Sequence, residues 1–200
     1  MSGGDRRRLV IFAKAPRLGR VKTRLGRDIG HVRALKFYRR MLFSLARRLS
    51  TDPRWETLIA AAPDTSVRDG GIWPKNVARI RQGPGDLGER MQRVFDRLPP
   101  GPVVIVGADI PGIENRDIAD AFKKLGFNDA VFGPADDGGY WLVGQKRRPR
   151  VIDMFNDVRW SGPHALEDTL GNLKGARHAM LRPLADVDDG DDYAGLAVRY

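Results

Sequence analysis

The sequence predicts a three-layer α/β/α fold around a mixed, mostly parallel sheet. Three observations carry that prediction. Short, wholly apolar runs such as Leu9–Ala13 and Val103–Val106 suit strands covered on both faces. They alternate with stretches whose apolar residues recur every three or four positions, the stripe of an amphipathic helix. No repeat, low-complexity tract or linker breaks the alternation, so the 200 residues read as one domain.

Residues 1–7 read as a flexible leader. Leu9–Ala13 is the first strand, broken at Lys14-Ala15-Pro16 and followed by a basic loop. Leu35, Tyr38, Leu42, Leu45 and Leu49 line one helix face, while Arg33, Lys36, Arg39, Arg40, Arg47 and Arg48 fall mostly on its solvated faces. Thr57–Ala62 reads as a buried strand, Pro63–Asn76 as loop and Val77–Gln82 as a short strand. Asp86 with Glu89 resembles a capping box that starts a helix with Leu87, Val94, Phe95 and Leu98 inward. Pro99-Pro100-Gly101-Pro102 announces the strand Val103–Val106. A helix over Asn115–Leu125 turns Ile118, Ala121, Phe122 and Leu125 inward. Ala130–Phe132 and Tyr140–Val143 read as strands around an acidic, glycine-rich turn, and antiparallel pairing there makes the sheet mixed. Pro163 suits the first turn of a helix running to Leu173. His178–Leu181 is a last strand, and Asp188 or Asp189 caps a final short helix.

Composition narrows the function classes. Apolar residues at 42% and charged residues at 30% are ordinary for a soluble globular protein. No apolar run approaches the ~20 residues that cross a bilayer, so no membrane partner is expected. The absence of cysteine excludes disulfides, zinc–thiolate sites and cysteine nucleophiles, and a cytoplasmic protein is the simplest reading. A net charge of +10 raises nucleic acid as a partner. The cations are dispersed, however, and no basic strand is interleaved with aromatic residues, so nucleic acid is not favoured. The three histidines lack metal-like spacing, and no serine nucleophile elbow is present.

The densest chemistry lies in Leu9–Leu25. A buried strand there ends in a loop bearing Lys14, Arg17, Gly19, Arg20, Lys22 and Arg24, which places positive charge at a sheet's carboxyl edge, where open α/β folds bind ligands. Such a loop suits a multiply charged anion, above all a nucleotide's phosphates; the alternative is a solvated basic loop. Asp109 closely follows the strand Val103–Val106 and either caps a turn before Pro111 or holds a divalent cation against phosphates. Asp186-Val187-Asp188 offers a second carboxylate. Alternation along an extended chain sends the two acids to opposite sides, so one should face the site; Asp188 is preferred, with helix capping as its rival. Asp137, Gly138, Gly139 and Tyr140 form either a tight turn between strands or the wall of a ligand pocket. Tyr140 and Trp141 stack on a ring or pack in the core. Trp160 lines the same pocket or precedes a helix capped by Ser161. On its own spacing, helix capping suffices to explain Asp86.

Read together as FAKAPRLGRVKTRL, Gly85–Met91, Gly107–Pro111, Asp136–Tyr140 and Asp186–Asp188, these ordered motifs resemble the radical-SAM/selenodomain-associated transferase 1 family, whose fold is GT-A-like. More distantly, the chain is similar to the molybdenum-cofactor and phospholactate guanylyltransferases. The resemblance spans nearly the whole chain. It implies a metal-dependent transferase using a nucleotide-activated substrate, most simply a glycosyltransferase acting on a nucleotide-diphospho-sugar. The alternative is a nucleotidyltransferase that splits a nucleoside triphosphate and releases pyrophosphate; a third reading is a non-catalytic nucleotide-binding module. The resemblance further implies Asp109, Asp137 and Lys22 as catalytic residues. Lys14, Gly19, Arg20, Lys22, Arg24 and Asp86 fall on the nucleotide side. Asp137, Gly138, Gly139, Tyr140 and Trp160 fall around a sugar or small-molecule acceptor, and Asp109 and Asp188 hold Mg2+ or Mn2+. The family commonly has threonine and proline after the second aspartate, where this chain has Asp189 and Gly190.

Overall fold

The computed structural model describes residues 6–199. Seven strands form one sheet in the order β3-β2-β1-β4-β6-β5-β7. They are β1 (Arg8–Lys14), β2 (Glu56–Ala62), β3 (Ala78–Arg81), β4 (Val103–Gly107), β5 (Ala130–Pro134), β6 (Tyr140–Gln145) and β7 (His178–Met180). Only β6 runs against its neighbours β4 and β5, so the sheet is mixed and mostly parallel, as its sequence pattern predicts. The leader expected over residues 1–7 lies outside the described residues as far as residue 5. Arg7 accepts a hydrogen bond through its carbonyl from the Glu56 N–H at 3.0 Å.

Two apolar layers sandwich the sheet because the inner strands are apolar on both sides. Leu9, Ile11 and Ala13 of β1 face one layer, built with Tyr38, Leu42, Leu45 and Leu49 of α2 (His31–Ser50) and Ile118, Ala121 and Phe122 of α4 (Asn115–Lys124). Val10 faces the other, where α3 (Leu87–Arg97) contributes Met91, Val94 and Phe95. Leu166 and Leu170 of α5 (Ala165–Gly171) pack against that second layer.

Three elements depart from the sequence pattern. A seven-residue helix α1 (Thr23–Ile29) occupies the end of the predicted basic loop. It is too short and charged to register as periodic, with only Leu25 and Gly26 buried. A side chain at Gly26 would displace the exposed His31 ring that packs over it. A short 3-10 helix, Asp64–Arg68, interrupts the loop expected over Pro63–Asn76. Leu87, expected to point inward, is 46% exposed; it opens α3, whose buried face begins at Gly88 and Met91.

The topology places a crevice between β1 and β4. The chain steps outward from β1 to β2 and β3, then returns to form β4 on the other side of β1. The loops leaving β1 and β4 therefore part in opposite directions, and such switch points are where open α/β sheets bind ligands.

Candidate functional site

The crevice is built first by how β1 ends. The Ala15 N–H bonds to the Ala62 carbonyl at 2.7 Å, on the β2 side. Lys14 therefore turns its backbone groups the other way, toward β4, whose pairing with β1 stops at Phe12 and Gly107. The Tyr38 hydroxyl fills the vacated place. It donates to the Lys14 carbonyl at 2.9 Å and accepts from the Lys14 N–H at 3.0 Å. Burial, reinforced by the charge of Asp109, pushes the Tyr38 phenol well above its ordinary range, so it remains a neutral donor. Tyr38 reads from sequence as one member of an apolar stripe. The only signal for its second role was a hydroxyl on an inward face, which must find partners.

The cations of the following loop divide by environment. The sequence groups Arg20, Lys22 and Arg24 as one cluster; the structure separates them, because α1 begins at Thr23 and turns Lys22 inward. Lys22 adopts a left-handed backbone (φ 45°, ψ 52°) at the start of α1 and leaves its side chain only 6% exposed. Its ammonium donates to Asp109 Oδ2 at 3.0 Å and to Asp188 Oδ1 at 2.6 Å. Burial alone would lower the Lys22 pKa, but the two carboxylates outweigh it and hold the ammonium above its ordinary value. Arg24 stays at the rim, 76% exposed and 3.8 Å from Asp188 Oδ2. Arg20 is exposed, its N–H closing a turn on the Arg17 carbonyl at 3.1 Å, and Gly19 takes the positive φ of +68° within that turn. Arg17 is paired at 2.6 Å with Asp69. Lys14 ends β1 with its side chain exposed.

Across the crevice, Asp109 lies two residues beyond β4. Its carboxylate comes together with those of Asp186 and Asp188, one oxygen from each lying within 4.8 Å of the others. This corrects the expectation that only one acid of Asp186-Val187-Asp188 faces the site. The segment is not part of the sheet, so period-two alternation does not apply: Val187 is buried while both acids lean the same way. Burial, together with the charges of Asp188, Asp109 and Asp137, pushes the Asp186 carboxyl up to about 6 despite Lys22 nearby.

The segment carrying Asp186 is tied down on both sides. Arg182 donates to both oxygens of the buried Asp117 on α4, at 2.7 and 2.8 Å, and to the Gly112 carbonyl at 3.1 Å. The Asp188 carbonyl accepts from the Leu25 N–H at 3.0 Å. Capping of α6 (Gly190–Arg199) falls to Asp189, whose Oδ1 accepts from the N–H groups of Asp191 and Asp192 at 3.0 and 3.1 Å. Asp188 is thereby left to the site. Gly190 fits closely against Asp28, donating its N–H to Asp28 Oδ2 at 2.8 Å. The two residues that differ from the resembled family thus have local structural work.

The glycine-rich turn borders the same space. Asp137 is exposed, accepts from the Gly139 N–H at 2.9 Å, and lies close enough for its charge to reach Asp186. Gly138 has φ +83°, and a Cβ there would stand 2.2 Å from the Pro163 carbonyl oxygen, so no side chain fits. Tyr140 is packed beneath the turn: its ring meets Phe132 and Trp160 edge-on, and its hydroxyl lies 3.4 Å from Thr169 Oγ1. Trp141 is core, donating its indole N–H to the Arg182 carbonyl at 3.2 Å. Trp160 packs on Phe155, and its buried indole N–H lacks a partner among the described residues. Ser161 does not cap α5; His164 precedes the helix instead. Asp86 is occupied in a complete capping box, accepting from the Glu89 N–H at 2.9 Å while Glu89 accepts from the Asp86 N–H at 2.8 Å.

This sheet order, with charged residues gathered where β1 and β4 diverge, is the α/β fold shared by nucleotide-diphospho-sugar transferases and nucleotidyltransferases. The chain belongs to the family described as uncharacterized proteins conserved in bacteria (DUF2064), whose model matches residues 45–162. That span contains Asp86, Asp109, Asp137–Tyr140 and Trp160, while the β1 loop and Asp186–Asp188 lie outside it. The structure is similar to a candidate nucleotide-diphospho-sugar transferase from Desulfovibrio desulfuricans G20, with a TM-score of 0.87 at 28% identity over 96% of this chain and 86% of that one. It also shares its fold with 4-diphosphocytidyl-2C-methyl-D-erythritol synthase from Anaerococcus prevotii, with a TM-score of 0.63 at 11% identity over 98% of this chain and all of that one. Glucosyl-3-phosphoglycerate synthase from Mycobacterium tuberculosis, solved with Mn2+ and UDP, matches with a TM-score of 0.56 at 13% identity over 98% of this chain and 77% of that one. No curated protein matches by sequence.

Proposed function

We propose that the protein is a metal-dependent transferase acting on a nucleotide-activated substrate, and that it moves a glycosyl group from a nucleotide-diphospho-sugar to a small-molecule acceptor. The observation that carries this reading is the convergence of Asp109, Asp186, Asp188 and Lys22 at the switch point of the sheet. The relative at 28% identity, itself described as a candidate nucleotide-diphospho-sugar transferase, supports the substrate class. So does the resemblance to the radical-SAM/selenodomain-associated transferases. In this reading residues 1–200 act as one catalytic domain in the cytoplasm; no helix among the described residues is long and apolar enough to cross a membrane.

The donor set fits a hard divalent cation. Three carboxylates each bring one oxygen within 4.8 Å of the others, all donors of the kind Mg2+ and Mn2+ take, and burial together with their mutual repulsion pushes Asp186 up to about 6. Asp109, Asp186 and Asp188 would hold the ion, which supplies positive charge against the departing diphosphate. The remaining work belongs to the chain. Lys22, with Arg24 at the rim, binds phosphate oxygens and offsets the charge that develops as the sugar leaves, and the exposed Arg20 adds positive charge at the mouth of the site. Asp137 accepts a hydrogen bond from an acceptor or sugar hydroxyl, with Gly138 and Gly139 admitting the ligand to the backbone. Tyr140 and Trp160 form the wall behind it. Catalysis of this kind is positioning plus electrostatics and requires no covalent intermediate.

The density of arginine and lysine in the β1 loop favours a second reading, nucleotidyl transfer, because a triphosphate carries more charge to neutralise. Product identity decides between them. Incubation with nucleotide-sugars, nucleoside triphosphates and pooled acceptors, with Mg2+ or Mn2+, is expected to release a nucleoside diphosphate. Pyrophosphate release would assign the protein to nucleotidyl transfer, and neither product would return it to a binding module.

A further inference from the structure

We propose that Lys22 makes the carboxylate site selective for a divalent cation that arrives with phosphate, by occupying the cation position itself until phosphate oxygens draw its ammonium away. The proposal rests on the metal reading given above. Its basis is geometric. The Lys22 ammonium lies 3.0 Å from Asp109 Oδ2 and 2.6 Å from Asp188 Oδ1, on oxygens of the same carboxylates that would ligate the ion. A divalent ion and an ammonium compete for those lone pairs and repel one another at such distances. Among the described residues no other cation is placed to do the same: Arg24 is 3.8 Å from Asp188 and mostly exposed, and Arg20 is at the surface.

The backbone holds Lys22 at this position. Its carbonyl accepts from the Gly26 N–H at 2.8 Å, and the neighbouring Leu25 N–H is bound to the Asp188 carbonyl at 3.0 Å. The ammonium therefore leaves the carboxylates only by a change of side-chain rotamer, which the four-carbon stem of lysine permits. A free metal ion must replace an ion pair already formed. A metal–phosphate complex offers Lys22 new oxygen partners as it enters, so metal and phosphate each favour binding of the other. Lys22 is then a selectivity residue as well as a phosphate ligand, and the site resists filling by metal alone.

The test is Mn2+ binding to the purified full-length protein near neutral pH, followed by the electron paramagnetic resonance of the free ion. Lys22→Met is expected to bind Mn2+ at least tenfold more tightly than wild type, and Lys22→Gln to move in the same direction. Adding Asp109→Asn to either variant is expected to remove the gain. If removal of the lysine leaves the carboxylates too repulsive for a stable fold, Mn2+ should raise the melting temperature of the variant more than that of wild type. Equal Mn2+ affinity in wild type and both variants, lost on Asp109→Asn, would overturn the Lys22 inference and leave the metal site standing. Mn2+ binding in none of them would overturn the metal reading and the inference together.

Discussion

Tyr38→Phe isolates the contribution of one oxygen atom to the crevice. The phenyl ring keeps its place in the layer with Leu42 and Leu45, so packing is unchanged. The hydroxyl's two hydrogen bonds to Lys14, at 2.9 and 3.0 Å, are both lost. They sit where β4 has ended, so no strand replaces them. Leaving a buried donor or acceptor unsatisfied costs ~1–3 kcal/mol. Lys14 is exposed in its side chain and water can reach part of its backbone, so the lower end of that range applies to each group, giving about 2 kcal/mol for the pair. For a chain of this size that corresponds to a fall of ~4–8 °C in Tm. Thermal and urea unfolding measure it directly. The same variant should weaken nucleotide binding, because the loop leaving β1 loses its anchor. A Tm within 1 °C of wild type would refute the argument that Tyr38 replaces the missing strand.

Three further outcomes follow from the same geometry. Arg182→Met, which releases the strap between Asp117 and the segment carrying Asp186, should cost about 1–2 kcal/mol in urea unfolding after allowance for the partial exposure of Arg182. It should reduce Mn2+ affinity as well. Gly138→Ala should destabilise by ~1–3 kcal/mol, since it combines a left-handed backbone with a clash against the Pro163 carbonyl, whereas Gly19→Ala meets no neighbour and should pay only the backbone term. In metal-free protein Asp186 titrates near 6 against an ordinary value of 3.8. The folded state therefore holds its proton more tightly than the unfolded state between those values. The Asp186 contribution to stability is full below the ordinary value and falls as pH rises through 6. Asp186→Asn should flatten that decline, and an unchanged stability–pH profile would contradict the placement of Asp186 among the other carboxylates.

The parts of this fold that were legible in the sequence are those governed by local periodicity. Leu9–Ala13 and Val103–Val106 are apolar throughout because helices cover both faces, and the Leu42–Leu45–Leu49 stripe is long enough to show its period. Asp86 and Glu89 declare a capping box by spacing alone. What the sequence hides is tertiary. Helix α1 buries two residues and carries no periodic signal, yet it is the element that turns Lys22 inward. The shared orientation of Asp186 and Asp188 depends on the Arg182–Asp117 strap and on Asp189 taking over the α6 cap, contacts that bridge distant segments. Strand alternation fails there because no strand is present. The Tyr38 hydroxyl is likewise invisible until the early end of β4 is known.

The central claim is that Asp109, Asp186 and Asp188 hold one divalent cation against the phosphates of a nucleotide. A crystal structure with Mn2+ and UDP, read by the anomalous signal of manganese, tests it most directly. The account predicts a single manganese within ligating distance of all three carboxylates, bridging to diphosphate oxygens that also contact Lys22. Manganese bound elsewhere, or diphosphate bound with Lys22 still on Asp109 and Asp188 and no ion between them, would contradict it.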